Sequence, residues 1–320
     1  MQILQFTSNS GPSLAGTTPN DDEGDVFFWI DVARSESDWQ EQCQRWLKVQ
    51  LHEHHLADTL NNTHPPYFDA TNDYELLIVR TLCPDCPPEA PTTHAVAFII
   101  TDRVVLSVRP DNDPLLRGLQ QRLLSGQRDA PTSVPMLLYL AIDRITDALL
   151  ERRNVTSELL SGWQDRLLDP NDQFSDWRAL MRLRSQLRRL EVASEAQIDA
   201  LREWREQTRL VIDSHLSVRL NDIREHLRRL YNHALITQHD IDALVQVFFS
   251  SNAQRTNETL QFLAIISAIF LPLNLITALF GTNFTHLPML SAWYGPLAML
   301  AAMTAVVLGL LLWFRKKRWI

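Results

Sequence analysis

Between Pro170 and Pro272 the sequence contains neither glycine nor proline. In a helix interior these residues cost about 1 and about 3 kcal/mol relative to alanine. Their absence excludes a turn-rich domain there and predicts very long helices. Cysteine is also scarce: Cys43, Cys83 and Cys86 are the only three, too few for a disulfide framework. Cys83 and Cys86 form one CxxC with His94 nearby in sequence, but no second CxxC completes a four-ligand zinc set. Pro87 and Pro88 follow where a thioredoxin-like helix would have to start, so a surface turn is expected. There is no Gly-rich phosphate loop, no Gly-x-Ser-x-Gly and no paired catalytic carboxylate at a recognisable spacing. An ATPase or hydrolase therefore has no support, and no enzyme activity or cofactor is expected. Positive charge is in deficit, 30 Lys and Arg against 38 Asp and Glu, for a net charge of −8. That balance disfavours nucleic acid as a partner and suits cations.

Two stretches lack charge altogether, residues 262–280 and 293–314. At about 1.5 Å per residue the first reaches roughly 28 Å, close to the ~30 Å hydrocarbon core of a bilayer. The pair reads as a transmembrane hairpin in contact with membrane lipid. The join, residues 281–292, has no Lys or Arg, whereas Arg315, Lys316, Lys317 and Arg318 follow the second stretch. The positive-inside rule then puts the join outside and both termini in the cytoplasm of an inner (plasma) membrane protein. Trp293, Tyr294, Trp313 and Trp319 sit where interfacial aromatics belong. The N-terminus lacks a basic region followed by an apolar one, so no signal peptide is expected.

The remainder divides by pattern. Residues 1–130 read as a cytoplasmic α/β domain, with strands at 26–32, 74–82, 95–100 and 104–108. A hairpin is expected at Thr101-Asp102-Arg103, and a helix within 38–60 carrying Trp39, Trp46, Leu47 and Leu51. Residues 8–25, rich in Gly, Pro, Ser and Asp, are expected to be a mobile acidic loop. His52, His54 and His55 are expected on a solvated helix face. Residues 131–215 read as a helical bundle, its first helix running from 136 to 168 and stopped by Asp169-Pro170-Asn171-Asp172. A reversal is expected between 207 and 215. Residues 216–280 form one stalk and membrane helix, its membrane part 262–280. Leu216, Leu220, Ile223, Leu227, Leu230, Ala234, Thr237, Ile241, Leu244 and Phe248 alternate spacings of four and three along it, a heptad seam. Such a helix is on the order of 100 Å long. Residues 281–292 are the outer loop, 293–314 the second span and 315–320 a basic tail.

From Asn257 a second stripe begins, with Gln261, Ala264, Ser267, Leu271, Asn274 and Ala278. It lies on a different face from the seam and carries nearly all the polar groups of the membrane helix. Asn274 deep in a bilayer is costly without a partner or water. Two explanations stay open: the stripe hydrogen-bonds helix to helix, or several copies of it surround a wet axis. Two spans cannot enclose a pore, so the second needs an oligomer. Neutral amide and hydroxyl oxygens would suit a hard divalent cation that keeps its water, with Leu260, Leu263 and Leu271 as dewetting constrictions. Pro272 removes one backbone hydrogen bond near Ala268.

The run SSNAQRTNETLQFLAIISAIFLPLNLITALFGTNF, the Trp293-Tyr294-Gly295 stretch and the terminal RKKRWI together resemble the CorA family of divalent-cation transporters, the two-span Gly-x-Asn family. LHEHHLADTLNNTHPPYFDATNDYELLIVRTL and RLNDIREH are similar to its cytoplasmic domain and to the helix before its pore. The resemblance implies a funnel-shaped homopentamer: a cytoplasmic α/β domain, a long stalk-and-pore helix and an outer second span, an α+β membrane protein. It implies an outer mouth at Gly281, Thr282 and Asn283, a polar ring at Asn257 and an apolar gate at Leu260, Leu263 and Leu271. It also implies that Asp222 belongs to an acidic site sensing cytoplasmic Mg²⁺. The sequence departs from the family in two ways. Thr282 replaces the usual Met, and residues 284–292 carry no acid, with Met289 where Glu is common. His286 and Met289 are softer groups, and His286 is a possible outer-loop ligand. The resemblance is therefore to the unconventional branch, which includes ZntB-like and CmaX-like proteins. The expected function is divalent cation transport, with Zn²⁺ and Mg²⁺ as transported or regulatory ions and Co²⁺ or Ni²⁺ alongside. The alternative is a membrane-anchored metal sensor or scaffold of the same fold that does not conduct.

Overall fold

The structure, a computed structural model, describes residues 2–7, 10–14, 26–36, 39–83, 86–87, 92–126, 129–169, 177–281 and 294–319. In chain order its elements are β1 (Gln2–Thr7), β2 (Ser10–Leu14), β3 (Val26–Ala33), α1 (Trp39–Leu47), α2 (Glu53–Leu60), β4 (Tyr67–Ala70), β5 (Glu75–Leu82), β6 (Thr93–Ile100), β7 (Val104–Arg109), α3 (Pro114–Leu124), α4 (Val134–Leu168), α5 (Trp177–Gln207), α6 (Ser214–Phe280) and α7 (Gly295–Lys316). They form two compact units, Met1–Leu244 and Val245–Ile320, and α6 contributes to both.

In the first unit the strands form one sheet in the order β2-β1-β3-β7-β6-β5-β4. Among the described strands only β3 and β7 pair in parallel. The alternation of a pleated strand sends successive side chains to opposite faces. In β6, Val96, Phe98 and Ile100 join one core while Ala95, Ala97 and Ile99 join the other. The first face packs against α3, α4, α5 and the early part of α6; the second carries Trp39, Trp46 and Leu47 of α1. The seam from Leu216 to Leu230 lies in the first of these cores, and Ala234, Thr237, Ile241 and Leu244 beyond it are buried too. It is thus satisfied within the chain, against the sheet-covering helices. Each fully buried leucine there contributes about 1.5–3 kcal/mol.

Three local expectations need correction. The helix expected within 38–60 is two helices, because Lys48 adopts φ 57 and ends α1. Ser10–Leu14, placed in a mobile loop, is an edge strand pairing Leu4 with Leu14 and Thr7 with Ser10. An edge position tolerates Pro12, which has no N–H to give the ladder. The rest of that loop, 15–25, lies outside the described residues. His55 is buried, not solvated: its Nδ1 lies 2.8 Å from the Tyr74 hydroxyl and its Nε2 2.9 Å from Asp69 Oδ2.

The reversal between α5 and α6 falls at 208–213. Glu75 fixes it by accepting from the Thr208 hydroxyl and from the Arg209 N–H at 2.8 Å. Asp213 Oδ1 then accepts from Leu216 N–H at 2.6 Å, satisfying one of the free donors at the start of α6.

Between α4 and α6, His233 Nε2 meets the Ser157 hydroxyl at 2.8 Å. Burial, and then the nearby Arg153, hold its pKa below the usual histidine value, with Asp240 opposing. The unfolded chain takes up this proton near pH 6.5, the folded chain only at lower pH. The folded state is therefore favoured above that value, and stability is lost as pH falls through the window. His233→Gln is expected to flatten the decline in thermal midpoint between about pH 7 and pH 5. Melting curves followed by circular dichroism would test this; a profile identical to wild type would assign the decline to other groups.

Candidate functional site

The second unit holds the C-terminal part of α6 and all of α7. Both helices contain a long apolar stretch that is exposed in the single chain, long enough to cross a membrane. Their less exposed positions recur at spacings of three and four. On α6 from residue 261 these are Gln261, Ile265, Ala268, Ile269, Pro272, Leu273, Ile276 and Phe280; on α7 they are Gly295, Ala298, Met299, Met303, Val306, Val307, Leu310 and Phe314. Such complementary stripes are the signature of helices that face one another.

The expected pore-lining residues lie elsewhere. Asn257, Leu260, Leu263, Ala264, Ser267, Leu271, Asn274 and Ala278 are all exposed. At 3.6 residues per turn, Ser267, Leu271, Asn274 and Ala278 fall roughly opposite the Ile265–Ile276 face. The open side of α6 therefore carries the amide of Asn274, the hydroxyl of Ser267, and Ala264 and Ala278 among leucines. Leu271 is 69% exposed. A soluble protein would not leave such a side chain so open beside Leu260 and Leu263. Lipid or further copies of the chain would cover this face.

Gln261 departs from the stripe in which its spacing placed it. It is half-buried, and its Nε2 donates to the Trp319 carbonyl at 3.0 Å. The chain turns back there, with Arg318 at φ 57 and the Trp319 N–H bonded to Phe314 O at 3.0 Å. Trp319 stacks on Phe314 with ring centroids 5.8 Å apart. Lys317 Nζ sits 6.0 Å from the centre of the Trp313 ring. This compact aromatic and basic turn ties the end of α7 to α6 at the start of its apolar stretch. A separation of 58 residues gave the sequence pattern no means of showing it.

At the other end, Thr277 returns its hydroxyl to the carbonyls of Leu273 and Asn274 at 3.1 and 2.9 Å. Those bonds lie just past Pro272, where the helix lacks a donor. Gly281 closes α6 by donating to Thr277 O at 2.8 Å. A Cβ at Gly281 would stand 3.2 Å from that oxygen, closer than ordinary packing, which explains a glycine at this place. Thr282, Asn283, His286, Met289 and Trp293 lie outside the described residues.

Asp222, the expected regulatory residue, is exposed on α6, and its Oδ1 lies 3.7 Å from His226 Nε2. Among the described residues no three His, Cys, Asp or Glu side chains converge on a point that could hold a metal. Cys83, just past β5, and Cys86 are not joined in a disulfide, and Cys86 Sγ lies 2.5 Å from the Thr92 hydroxyl.

The family model described as "CorA-like Mg2+ transporter protein" matches residues 24–316. A curated relative, the "Cobalt/magnesium transport protein CorA" of Thermotoga maritima, is 24% identical over 274 residues, which is 83% of this chain and 76% of that protein. The complete structure of the CorA magnesium transporter from Methanocaldococcus jannaschii superposes with a TM-score of 0.87 at 16% identity, over 100% of this chain and 99% of that one. The full-length CmaX protein superposes with a TM-score of 0.75 at 21% identity, over 100% and 98% of the two chains.

Proposed function

The chain belongs to the CorA-like Mg²⁺ transporter family, and from that premise we propose that it forms a homopentameric channel for divalent metal cations. Family members are transporters, not enzymes. The observation that carries the proposal is the open face of α6, where Ser267 and Asn274 stand roughly opposite the side turned to α7. Copies of that face around an axis would line a conduit with amide and hydroxyl oxygens. Water and hydrated ions there satisfy groups that lipid would leave unsatisfied. Leu260, Leu263 and Leu271 would form apolar rings that close by dewetting. Gly281, Thr282 and Asn283 would form the outer mouth and Asn257 the inner polar ring. Asp222 would contribute to cytoplasmic metal sensing, and His286 is a possible outer ligand. Both termini would be cytoplasmic, in an inner membrane.

Hydrated ions passing neutral oxygens are discriminated weakly, so Mg²⁺, Zn²⁺, Co²⁺ and Ni²⁺ are all expected to pass. A second reading, a metal sensor or scaffold that does not conduct, is favoured by Thr282 and by the lack of any acid in 284–292.

Purified protein in liposomes loaded with a metal-sensitive dye separates the two. Saturable entry of at least one of these ions, with a detergent-corrected mass of five subunits, is the expected result. A five-subunit particle that passes none of them would establish the sensor; a particle of one or two subunits would overturn both readings.

A further inference from the structure

At one end of the sheet in the first unit a cleft of about 450 Å³ opens, lined by Arg34, Asn62, Cys83, His94, Pro110 and Asp111 among others. It lies at the carboxyl ends of the parallel pair. Arg34 directly follows β3 and donates its N–H to Arg109 O at the end of β7, at 2.8 Å. Open α/β sheets place their ligands in this position.

The arginines here are unusual in what they lack. Arg34 gives Nε to Thr59 O, Nη1 to Asn62 Oδ1 and Nη2 to Ala95 O, at 3.1, 2.7 and 2.6 Å. A guanidinium has five N–H groups, so one is left on each terminal nitrogen. Arg80, behind the cleft, donates to Thr93 Oγ1, Asn62 O, His64 O and Thr93 O. Asn62 thus joins the two, its side chain to Arg34 and its backbone to Arg80. Every one of these partners is a neutral oxygen.

Charge on the two is consequently poorly offset. Arg80 is pushed down to about 10, by burial first and then by Arg34. His94 is held below its usual value by burial, then by Arg80 and Arg34. Its Nδ1 is buried without a hydrogen-bond partner. Asp111, the one carboxylate among the described residues lining the cleft, is engaged with the Ser35 N–H at 3.2 Å and held below the usual carboxylate range chiefly by Ser35. Among the described residues, Asp111 stands beside Arg34, and no carboxylate offsets Arg80 behind it. Between these residues the surplus is positive, and it favours a further negative group.

We propose that this cleft binds a small phosphate monoester, with its phosphate on the free N–H groups of Arg34 and its remainder in the space beside Pro110 and His94. Guanidinium and phosphate match in geometry and charge. The cleft exceeds what inorganic phosphate fills, which favours an organic ester. None of the residues lining it belongs to α6 or α7, and the proposal does not depend on the transport reading.

Isothermal titration calorimetry on the full-length protein in detergent, at fixed ionic strength, tests it. The probes are adenosine 5′-monophosphate, inorganic phosphate and adenosine. The monophosphate is expected to bind saturably and adenosine not at all. Arg34→Gln is expected to weaken binding by at least about tenfold. Asp111→Asn keeps the acceptor for Ser35 and removes the competing charge, so it is expected to tighten binding, which a damaged fold could not do. Inorganic phosphate binding as tightly as the monophosphate would support the anion site and name free phosphate as its ligand. Equal heats from adenosine, no saturable binding of either phosphate, or binding unchanged in both variants would each overturn the proposal.

Discussion

Asn283→Ala is expected to lower divalent-cation flux into liposomes by at least about tenfold while leaving the oligomer intact. Asn283 comes two residues after Gly281, which ends α6 against Thr277. In the proposed pentamer its amide would appear five times around the axis. A cation entering there would keep most of its water, and the amide oxygens would hold that shell. A hydrogen bond to a charged group is worth about 1.5–3 kcal/mol, and about 1.4 kcal/mol is a tenfold change. Losing one such bond per passing ion already reaches the stated effect. Alanine keeps the backbone and removes the oxygen, whereas Asn283→Asp restores an oxygen with charge and is expected to bind cations more tightly and release them more slowly. The check is flux of Mg²⁺ and Zn²⁺ through variants matched for pentamer content. Wild-type flux through Asn283→Ala would remove the mouth from the mechanism and move selection to the stripe at Ser267 and Asn274.

What could be read in the sequence depended on how far apart the interacting groups lie. The membrane helices declare themselves through an uninterrupted absence of charge, a property of each stretch alone. The seam from Leu216 to Leu244 was legible for the same reason, since its period is local, yet its partners were not. Nothing in the spacing shows that its first part, Leu216 to Leu230, shares one core with the sheet and with α3, α4 and α5 of the same chain. The strands β3, β5, β6 and β7 are runs of buried β-branched and aromatic residues and could be seen. β4 has only four residues and β2 contains Pro12, so neither offers a pattern; their pairing with β5 and β1 makes them strands. His55 shows the limit most clearly. Its neighbours His52 and His54 suggested a polar face, but Asp69 and Tyr74, distant in sequence, accommodate it in the interior. In the candidate site the periodicity placed Ser267 and Asn274 on one face and could not decide what meets it. It misplaced Gln261, whose partner is a backbone carbonyl at the other end of the unit.

Arg109→Met is expected to destabilise the first unit by about 3–5 kcal/mol, a large share of the roughly 5–15 kcal/mol that holds a domain folded. Arg109 and Asp31 are 4% and 2% exposed, and Arg109 Nε meets Asp31 Oδ2 at 2.7 Å. Asp31 Oδ1 accepts from the Ser107 hydroxyl at 2.7 Å, and that hydroxyl accepts from Trp29 Nε1 at 3.0 Å. These residues belong to β3 and β7, the parallel pair of the described sheet, where its two halves join. Burial raises the Asp31 pKa, and Arg109 is the strongest opposing influence. Without the guanidinium, Asp31 must either stay charged and unpaired or take up a proton. Its folded pKa then lies further above the unfolded value of about 3.9. The folded state binds the extra proton in that window, so the variant loses stability as pH rises through it. Its deficit relative to wild type should be larger at neutral pH than in mild acid. Replacing both partners, Asp31→Leu with Arg109→Met, removes the stranded charge and is expected to recover most of the loss. Denaturant titrations read by tryptophan fluorescence, with Trp29 inside the network, would measure all three. If the single variant were no less stable than the double one, the strength of this junction would come from the apolar layers on either side of it, and the ion pair would serve only to fix the register of β3 against β7.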